Sequence, residues 1–228
     1  MRFRNIQKRI IEFARKFCFK FFFNYKIQRF GSDYGGWSIV SNKINKNSII
    51  YSFGIGVDTS FDELLIENFG CKIFAFDPTP DSINYVKYNL YTKSFIFHPY
   101  GLSSTNKKLK FFAPLDSTHI SYSSIPINQS DEKFIYAQFH TIDKICKKLN
   151  HKHIDLLKLD IEGDEYDVIN QILNSKLRPT QLLIEFHPSK KQLDQHQCIL
   201  FRKRILKAGY TMFSGSFETS ECSFIFNP

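Results

Sequence analysis

Residues 48–58 read SIIYSFGIGVD, a β-branched and aromatic run that ends in a glycine-rich turn. Residues 72–78 read KIFAFDP, a second apolar run followed by an acidic residue, Asp77. A glycine-rich turn after one strand, with an acid about 20 residues on after the next, is how a doubly wound sheet binds a nucleoside. The glycines let the backbone approach the ligand, and the carboxylate accepts hydrogen bonds from ribose hydroxyls. The two segments therefore predict an enzyme with a Rossmann-like fold.

The chemistry of this turn favours one cofactor over another. A dinucleotide-binding turn needs a third small residue at position 59, which here is the branched Thr59. Asp58 is expected near the start of the next helix, where its charge would repel a pyrophosphate and suit a cation. S-adenosylmethionine carries a sulfonium and an ammonium, so it fits this turn better than NAD does. Alternatively, Asp58 simply caps the helix, because acidic and hydroxyl residues favour that position.

Composition sets broad limits on the protein. The chain has 228 residues and a net charge of +9, which fits one α/β domain with an affinity for anionic surfaces. We find no nucleic-acid-binding motif and predict no nucleic-acid partner. The five cysteines are scattered along the chain, and no two are close enough in sequence to form a metal-binding motif. This pattern predicts neither a disulfide framework nor a zinc site. A reducing cytoplasm is the simplest compartment.

The N-terminal segment has a character of its own. Residues 1–23 read MRFRNIQKRIIEFARKFCFKFFF, with apolar side chains at helical spacing and cations around them. Charges interrupt the apolar run, so we predict neither a secretory signal nor a bilayer-spanning segment. We predict a basic amphipathic helix over residues 1–28 and one Rossmann-like domain over 29–228. The helix either packs on the domain or lies at an anionic membrane surface, at the inner face of the membrane.

Strand and helix patterns alternate along the rest of the chain. This alternation predicts an α/β fold with a doubly wound, mostly parallel sheet. Strand patterns at residues 210–213 and 223–226 predict an antiparallel C-terminal edge hairpin. Residues 107–140 are less regular, and we expect them to carry substrate specificity, with His119 contacting the substrate.

Acidic residues follow two further strand patterns. Asp160 and Glu162 follow the run at 154–159. Glu185 lies near the end of the run at 181–186, and His187 follows that run. Since ligands bind at the carboxyl ends of parallel strands, we expect all four side chains near the cofactor. Asp160, Glu185 and His187 are the candidate catalytic bases, and a histidine beside two carboxylates would be poised near neutral pH. The alternatives are helix capping with a surface histidine, or a divalent metal held by Asp160, Glu162 and His187.

Together these segments resemble the FkbM-type methyltransferases. The resemblance rests on YSFGIGVD at 51–58, FDPTP at 76–80, LLKLDIEGDEY at 156–166 and LIEFH at 183–187. It covers the chain from about Tyr34 to the C-terminus. It implies an S-adenosylmethionine-dependent O-methyltransferase of class I, Rossmann-like fold.

The resemblance also implies roles for individual residues. The turn around Gly54, Gly56 and Asp58 would contact the methionine part of the cofactor, and Asp77 would contact its ribose. Glu162 would line the reaction site with the three candidate bases, and we expect no metal. The full predicted cofactor-binding set is Trp37, Phe53, Gly54, Gly56, Asp58, Asp77 and Pro78.

Members of this family commonly act on hydroxyls of sugars or natural products. We therefore expect methylation of a sugar hydroxyl in a surface glycan or glycolipid, for which the basic N-terminal segment would suit an acidic or membrane-attached acceptor. A natural-product or small-molecule O-methyltransferase is the first alternative. The alternatives of another class are an NAD-dependent enzyme, which Asp58 and Thr59 disfavour, and a non-catalytic Rossmann-like binding module.

Overall fold

The computed structural model of the protein describes residues 24–90, 92–112 and 134–227. The predicted basic segment at 1–23 and the candidate substrate contact His119 lie outside the described residues. Contact of that segment with a membrane therefore stays a prediction. None of the helices in the described part of the chain is both long and apolar enough to cross a bilayer.

The described residues form twelve strands and five α-helices. In chain order the strands are β1 (Ile27–Phe30), β2 (Trp37–Val40), β3 (Ile49–Phe53), β4 (Lys72–Phe76), β5 (Phe95–His98), β6 (Gly101–Leu102), β7 (Lys107–Phe112), β8 (Phe134–His140), β9 (Leu156–Leu159), β10 (Gln181–Glu185), β11 (Tyr210–Ser214) and β12 (Glu221–Phe226). The helices are α1 (Ser60–Phe69), α2 (Pro80–Asn89), α3 (Ile142–Leu149), α4 (Glu165–Asn174) and α5 (Gln195–Lys207).

Seven strands form the main sheet, in the order β11-β12-β10-β9-β3-β4-β5. The five from β10 to β5 are parallel, and β12 is antiparallel to both of its neighbours. The predicted doubly wound sheet with an antiparallel C-terminal hairpin is therefore confirmed. Because the parallel strands all point the same way, the carboxyl ends of β3, β4, β9 and β10 meet at one edge.

Alternate residues of the central strands face opposite sides of the sheet. Tyr51 and Leu157 belong to a core layer that includes α3, α4 and α5, whereas Ile50 and Leu156 belong to a layer that includes α1. Both faces are therefore covered, and β9 is buried along its whole length. This is why the central strands read as continuous apolar runs instead of alternating ones.

Local signals at the helix ends agree with the sequence. Gly70 ends α1 in a left-handed conformation with φ of 63°, and Thr79 caps α2 by accepting a hydrogen bond from Ser82 N. α5 begins at Gln195 because Asp194 and Gln197 form a reciprocal capping box. These residues fix where α1 ends and where α2 and α5 begin.

Two smaller sheets were not predicted. β1 and β2 pair as an antiparallel hairpin, so Ile27 and Gln28 lie in a strand and not in an N-terminal helix that reaches residue 28. β6, β8 and β7 form a three-stranded sheet, in which β7 and β8 come from the segment that looked irregular. The β1–β2 hairpin matters for function, because it reaches the edge where the four central strands end.

Candidate active site

A cavity of about 400 Å³ lies at the carboxyl edge of the main sheet. Every residue of the predicted cofactor-binding set lines it, and so do three of the predicted acids. The structure therefore brings together two groups that lie more than 80 positions apart in the sequence. The lining residues predicted from sequence are Trp37, Phe53, Gly54, Gly56, Asp58, Asp77, Pro78, Asp160, Glu162 and Glu185.

The glycine turn after β3 lies directly against the neighbouring strand end. Gly54 has φ of 71°, and a Cβ built on it would lie 1.7 Å from the carbonyl oxygen of Asp160. Only glycine fits this approach, because a side chain would collide with backbone. The turn and the acidic strand end are thus held in contact, and the cavity floor is backbone.

Asp77 is buried and organises the two loops that flank it. Its Oδ2 accepts a hydrogen bond from Gly56 N at 3.1 Å, and its Oδ1 accepts from Thr79 N at 2.9 Å and from Thr79 Oγ1 at 2.7 Å. The carboxylate that was predicted to bind ribose therefore also fixes the glycine turn. A ligand at Asp77 would meet a preset arrangement of donors and acceptors.

Asp58 lies one residue before Thr59, the N-cap residue of α1, and its carboxylate joins the start of this helix to a loop over the cavity. Its Oδ1 accepts from Ser60 N at 3.0 Å, and its Oδ2 accepts from Ser32 Oγ at 2.5 Å. Burial alone would raise the pKa of Asp58, but the hydrogen bonds from Ser32 and Ser60 outweigh it and lower the pKa. Asp58 is therefore a stable carboxylate on the cavity wall, which suits a cationic ligand.

The loop between β1 and β2 covers one side of the cavity. Ser32 N donates to Ser60 Oγ at 2.8 Å, and Gly35 N donates to Ser32 Oγ at 2.8 Å. Trp37 begins β2 and is buried, whereas Tyr34 in the loop has 85% of its surface exposed, and both line the cavity. Partial desolvation and then the negative charges of Asp160 and Glu185 raise the pKa of Tyr34. Sequence reasoning did not single out Tyr34.

The four residues of the predicted reaction site lie together, but they are not equivalent. Asp160, Glu162 and Glu185 line the cavity, whereas His187 lies behind them. The His187 Nε2 atom is 3.9 Å from Asp160 Oδ1, 3.9 Å from Glu162 Oε2 and 3.8 Å from Glu185 Oε1. His187 therefore lies next to the carboxylates, and the carboxylates face the cavity.

Glu165 is a supporting residue that sequence reasoning missed. It is fully buried in the first turn of α4, where its Oε2 accepts from Gly163 N at 2.8 Å and its Oε1 accepts from His187 N. Its Oε1 is also 3.4 Å from His187 Nδ1. Its place in the acidic motif at 156–166 could have marked it as a site residue. An acid in a first helical turn, however, usually lies at the surface and stabilises the helix.

Lys158 is the second residue that was missed. Its ammonium is buried, donates to Gly54 O at 2.8 Å and lies 4.0 Å from Asp160 Oδ2. A lysine inside an apolar strand pattern is the signal that could have found it, because lysine is rarely buried without a partner. Lys158 joins the glycine turn to the acidic strand end.

The charge states in this cluster differ from the prediction that a histidine beside two carboxylates is poised near neutral pH. Burial lowers the pKa of His187, but close contact with Glu165 and the surrounding negative charges raise it to about 9. The expectation that His187 is poised near neutral pH is therefore wrong, because it faces several acids. Burial and the charge of Asp160 raise the pKa of Glu185 to about 7. Burial also raises the pKa of Asp160, against the opposing charge of Lys158.

Among the described residues, one group of side chains is close enough together to hold a metal ion. Ligand atoms of Asp160, Glu185 and His187 lie within 4.8 Å of one another. The metal alternative from the sequence used Glu162 in place of Glu185. The prediction that the site needs no metal stays a prediction.

Comparison with known families identifies this arrangement. The model of the methyltransferase FkbM domain matches residues 43–212, a span that runs from before the glycine turn to β11. The chain belongs to the FkbM methyltransferase family. This membership confirms the predicted family and argues against the NAD-dependent alternative. S-adenosylmethionine is the methyl donor of class I methyltransferases, so the cofactor prediction is also confirmed.

Individual relatives are more distant. The chain is 26% identical over 151 residues to human "Probable methyltransferase-like protein 24", covering 63% of this chain and 33% of that protein. It therefore spans about a third of the length of this relative. The FkbM methyltransferase of Methylobacillus flagellatus KT has a TM-score of 0.48 and 14% identity, covering 80% of this chain and 44% of its own. The fibrillarin of Methanococcus jannaschii has a TM-score of 0.47 and 10% identity, covering 90% and 84%.

Proposed function

We propose that this FkbM-family protein is an S-adenosylmethionine-dependent O-methyltransferase that acts on a sugar hydroxyl of a glycan or glycolipid. The observation that carries the proposal is the shared cavity, where the glycine turn and Asp77 meet the carboxylates of Asp160 and Glu185. A cofactor site alone would suit a binding module, but a carboxylate with a raised pKa beside it suits proton removal.

The cavity has the chemistry that the cofactor needs. Glycine backbone at the turn allows close approach, Asp58 and Asp160 suit the ammonium and the sulfonium, and Asp77 suits the ribose. Phe53, Pro78 and Trp37 supply apolar walls. When bound, S-adenosylmethionine supplies an electrophilic methyl group on its sulfonium.

Glu185 is the base that the geometry favours. The acceptor oxygen must lie in line with the methyl group, on the face opposite sulfur, and its proton must leave as the O–C bond forms and the S–C bond breaks. With a pKa of about 7, Glu185 is charged at slightly alkaline pH and basic enough to take this proton. His187 is a positioning residue, because its imidazolium holds the carboxylates of Glu185 and Asp160 together without lining the cavity.

We expect turnover to depend on pH through these two groups. The rate should rise as Glu185 loses its proton near pH 7 and fall as His187 loses its proton near pH 9. Glu185→Gln should lower kcat by about 10²-fold or more, because general-base catalysis contributes about that much. The measurement is the pH profile of labelled methyl transfer to methyl glycosides.

His187→Gln separates the positioning role from simple destabilisation. Because the His187 charge lowers the pKa of Glu185, its loss should shift the acidic limb to higher pH and remove the alkaline limb. The matched control is His196→Gln, at an exposed histidine in α5, which should leave the profile unchanged. An unshifted acidic limb in His187→Gln would contradict this role.

Asp77→Ala should weaken cofactor binding about 10- to 100-fold, since hydrogen bonds to a charged group contribute about 1.5–3 kcal/mol. The measurement is calorimetric titration with S-adenosylmethionine. Asp81→Ala is the control, because Asp81 is an exposed acid in the first turn of α2 that does not line the cavity. Equal affinities of the two variants would remove Asp77 from the cofactor site.

The remaining expectations stay part of this proposal. Residues 1–23 would guide the enzyme to an anionic membrane surface that carries the acceptor, on the cytoplasmic side. The competing class, a non-catalytic binding module, makes a distinct prediction: it binds S-adenosylmethionine in the titration but transfers no label to any hydroxyl, at any pH.

A further inference from the structure

A second cavity, of about 330 Å³, adjoins the first beside the C-terminal hairpin. Trp37 and Glu221 line both cavities, so the two meet at these side chains. The second cavity is lined mainly by hydroxyl-bearing and charged side chains. Its lining includes Arg29, Trp37, Ser38, Ser214, Glu221 and Ser223.

The register of the sheet sets the second cavity beside the proposed base. Glu221 pairs directly with Glu185 across β12 and β10. The charge of Glu221 also contributes to the raised pKa of Glu185. A molecule in the second cavity can therefore extend one group past Glu221 to the base while most of its atoms stay outside the cofactor site.

The hydroxyls of the second cavity are available to a ligand. Ser214 and Ser223 pair across β11 and β12, and Arg29 and Ser38 pair across β1 and β2. Within the described part of the chain, the side-chain hydroxyls of Ser38, Ser214 and Ser223 make no hydrogen bond. Ser223 is 2% exposed, so water can serve its hydroxyl only from within the cavity.

We propose that this second cavity is the acceptor subsite and that it binds a saccharide, an inference that rests on the proposed O-methyltransferase function. Sugar hydroxyls both donate and accept hydrogen bonds, which matches serines, an arginine and a glutamate. Trp37 is 4% exposed, so only a small apolar part of its ring reaches the cavity, where it can contact sugar C–H groups. An apolar acceptor would leave the polar lining unpaired, which costs binding energy.

The same lining argues against a phosphate-bearing group at this point. The Glu221 carboxylate would repel an anion, and one nitrogen of the Arg29 guanidinium, Nη2, already donates to Ser32 O and Asp33 O. A neutral polyhydroxylated ring is therefore the acceptor chemistry that the second cavity fits.

The subsite is tested by binding, without any methyl donor. Trp37 is the single tryptophan of the chain, so its fluorescence reports on the point where the cavities meet. We expect saturable changes with at least one of methyl glucoside, methyl mannoside and methyl galactoside, and none with cyclohexanol or phenol. Binding of cyclohexanol or phenol as tight as that of the glycosides, or no binding of any glycoside, overturns the inference.

Two variants locate the binding. Glu221→Gln should weaken glycoside binding at least tenfold, whereas Glu218→Gln, at an exposed acid outside the cavity, should not. Ser214→Phe should fill the cavity and abolish glycoside binding while S-adenosylmethionine still binds, which also shows that the variant is folded. Unchanged glycoside affinity in either Glu221→Gln or Ser214→Phe overturns the inference.

Failure of the saccharide subsite and failure of the proposed O-methyltransferase function give different results. Glycoside binding without methyl transfer at any pH would contradict O-methylation and leave the subsite standing. Methyl transfer to phenol or cyclohexanol without glycoside binding would support O-methylation and overturn the saccharide subsite.

Discussion

Gly54→Ala is expected to abolish S-adenosylmethionine binding, with a loss of more than 10³-fold, because the new Cβ cannot be accommodated. It would lie 1.7 Å from the Asp160 carbonyl oxygen, and backbone on both sides leaves no flexible atom to move. The turn must therefore separate from the strand end of β9. That separation also breaks the hydrogen bond from Lys158 Nζ to Gly54 O, so the cavity floor and its charge pairing are lost together. Calorimetric titration of the purified variant measures the loss.

Gly70→Ala is the matched control for this substitution. Gly70 also has a positive φ, of 63°, but its added Cβ would meet only the side chain of Lys46, at 4.0 Å. Gly70→Ala should therefore cost about 1 kcal/mol of stability from backbone strain alone and leave cofactor affinity unchanged. Near-normal affinity in Gly54→Ala would mean that the turn does not contact the neighbouring strand as described.

The elements nearest to the cofactor site were predictable because their signals are local. β3 and β4 are short runs of β-branched and aromatic residues that are followed by glycine or an acid, and both strands lie within the stretches predicted from sequence. The same runs fix the edge of the sheet where the acids meet. Fold and cavity location therefore follow from patterns a few residues long.

Residues whose role depends on distant partners were not predictable in this way. Glu165 acts through His187, which lies 22 positions away, and Lys158 acts through Gly54, which lies 104 positions away. A lone acid in a helix or a lone lysine in a strand does not reveal its partner. The β1–β2 hairpin was missed for a related reason, since β1 is exposed and lacks the alternation that marks a half-buried strand.

The protonation state of His187 shows the same limit. Its acidic neighbours were identified, but their number and distances decide whether the imidazole is neutral or charged. With Glu165 at 3.4 Å and three further carboxylates within 3.9 Å, the charged form is stabilised. In the proposed mechanism the base is therefore Glu185 and not His187.

Lys158, together with the protonated His187, offsets the negative charge of these acids. Its side chain is 7% exposed, and its charge lowers the pKa of each of four surrounding carboxyls. Those carboxyls are Asp58, Asp62, Asp160 and Glu185. Asp62 is buried in α1, and burial raises its pKa to about 6 even with Lys158 present. Removal of the ammonium would leave these acids without their shared counter-charge.

Lys158→Met should therefore lower the free energy of unfolding at pH 8 by about 3 kcal/mol, the cost of removing one partner from a buried pair. The loss should be smaller at pH 5, because below its raised pKa Asp62 is neutral in the folded protein and needs no counter-charge. The acidic limb of the transfer rate should also move to higher pH, since Glu185 then holds its proton longer. Urea unfolding at the two pH values tests the first effect, with exposed Lys152→Met as the control. An equal loss at pH 5 and pH 8 would show that Lys158 stabilises by packing and not by charge.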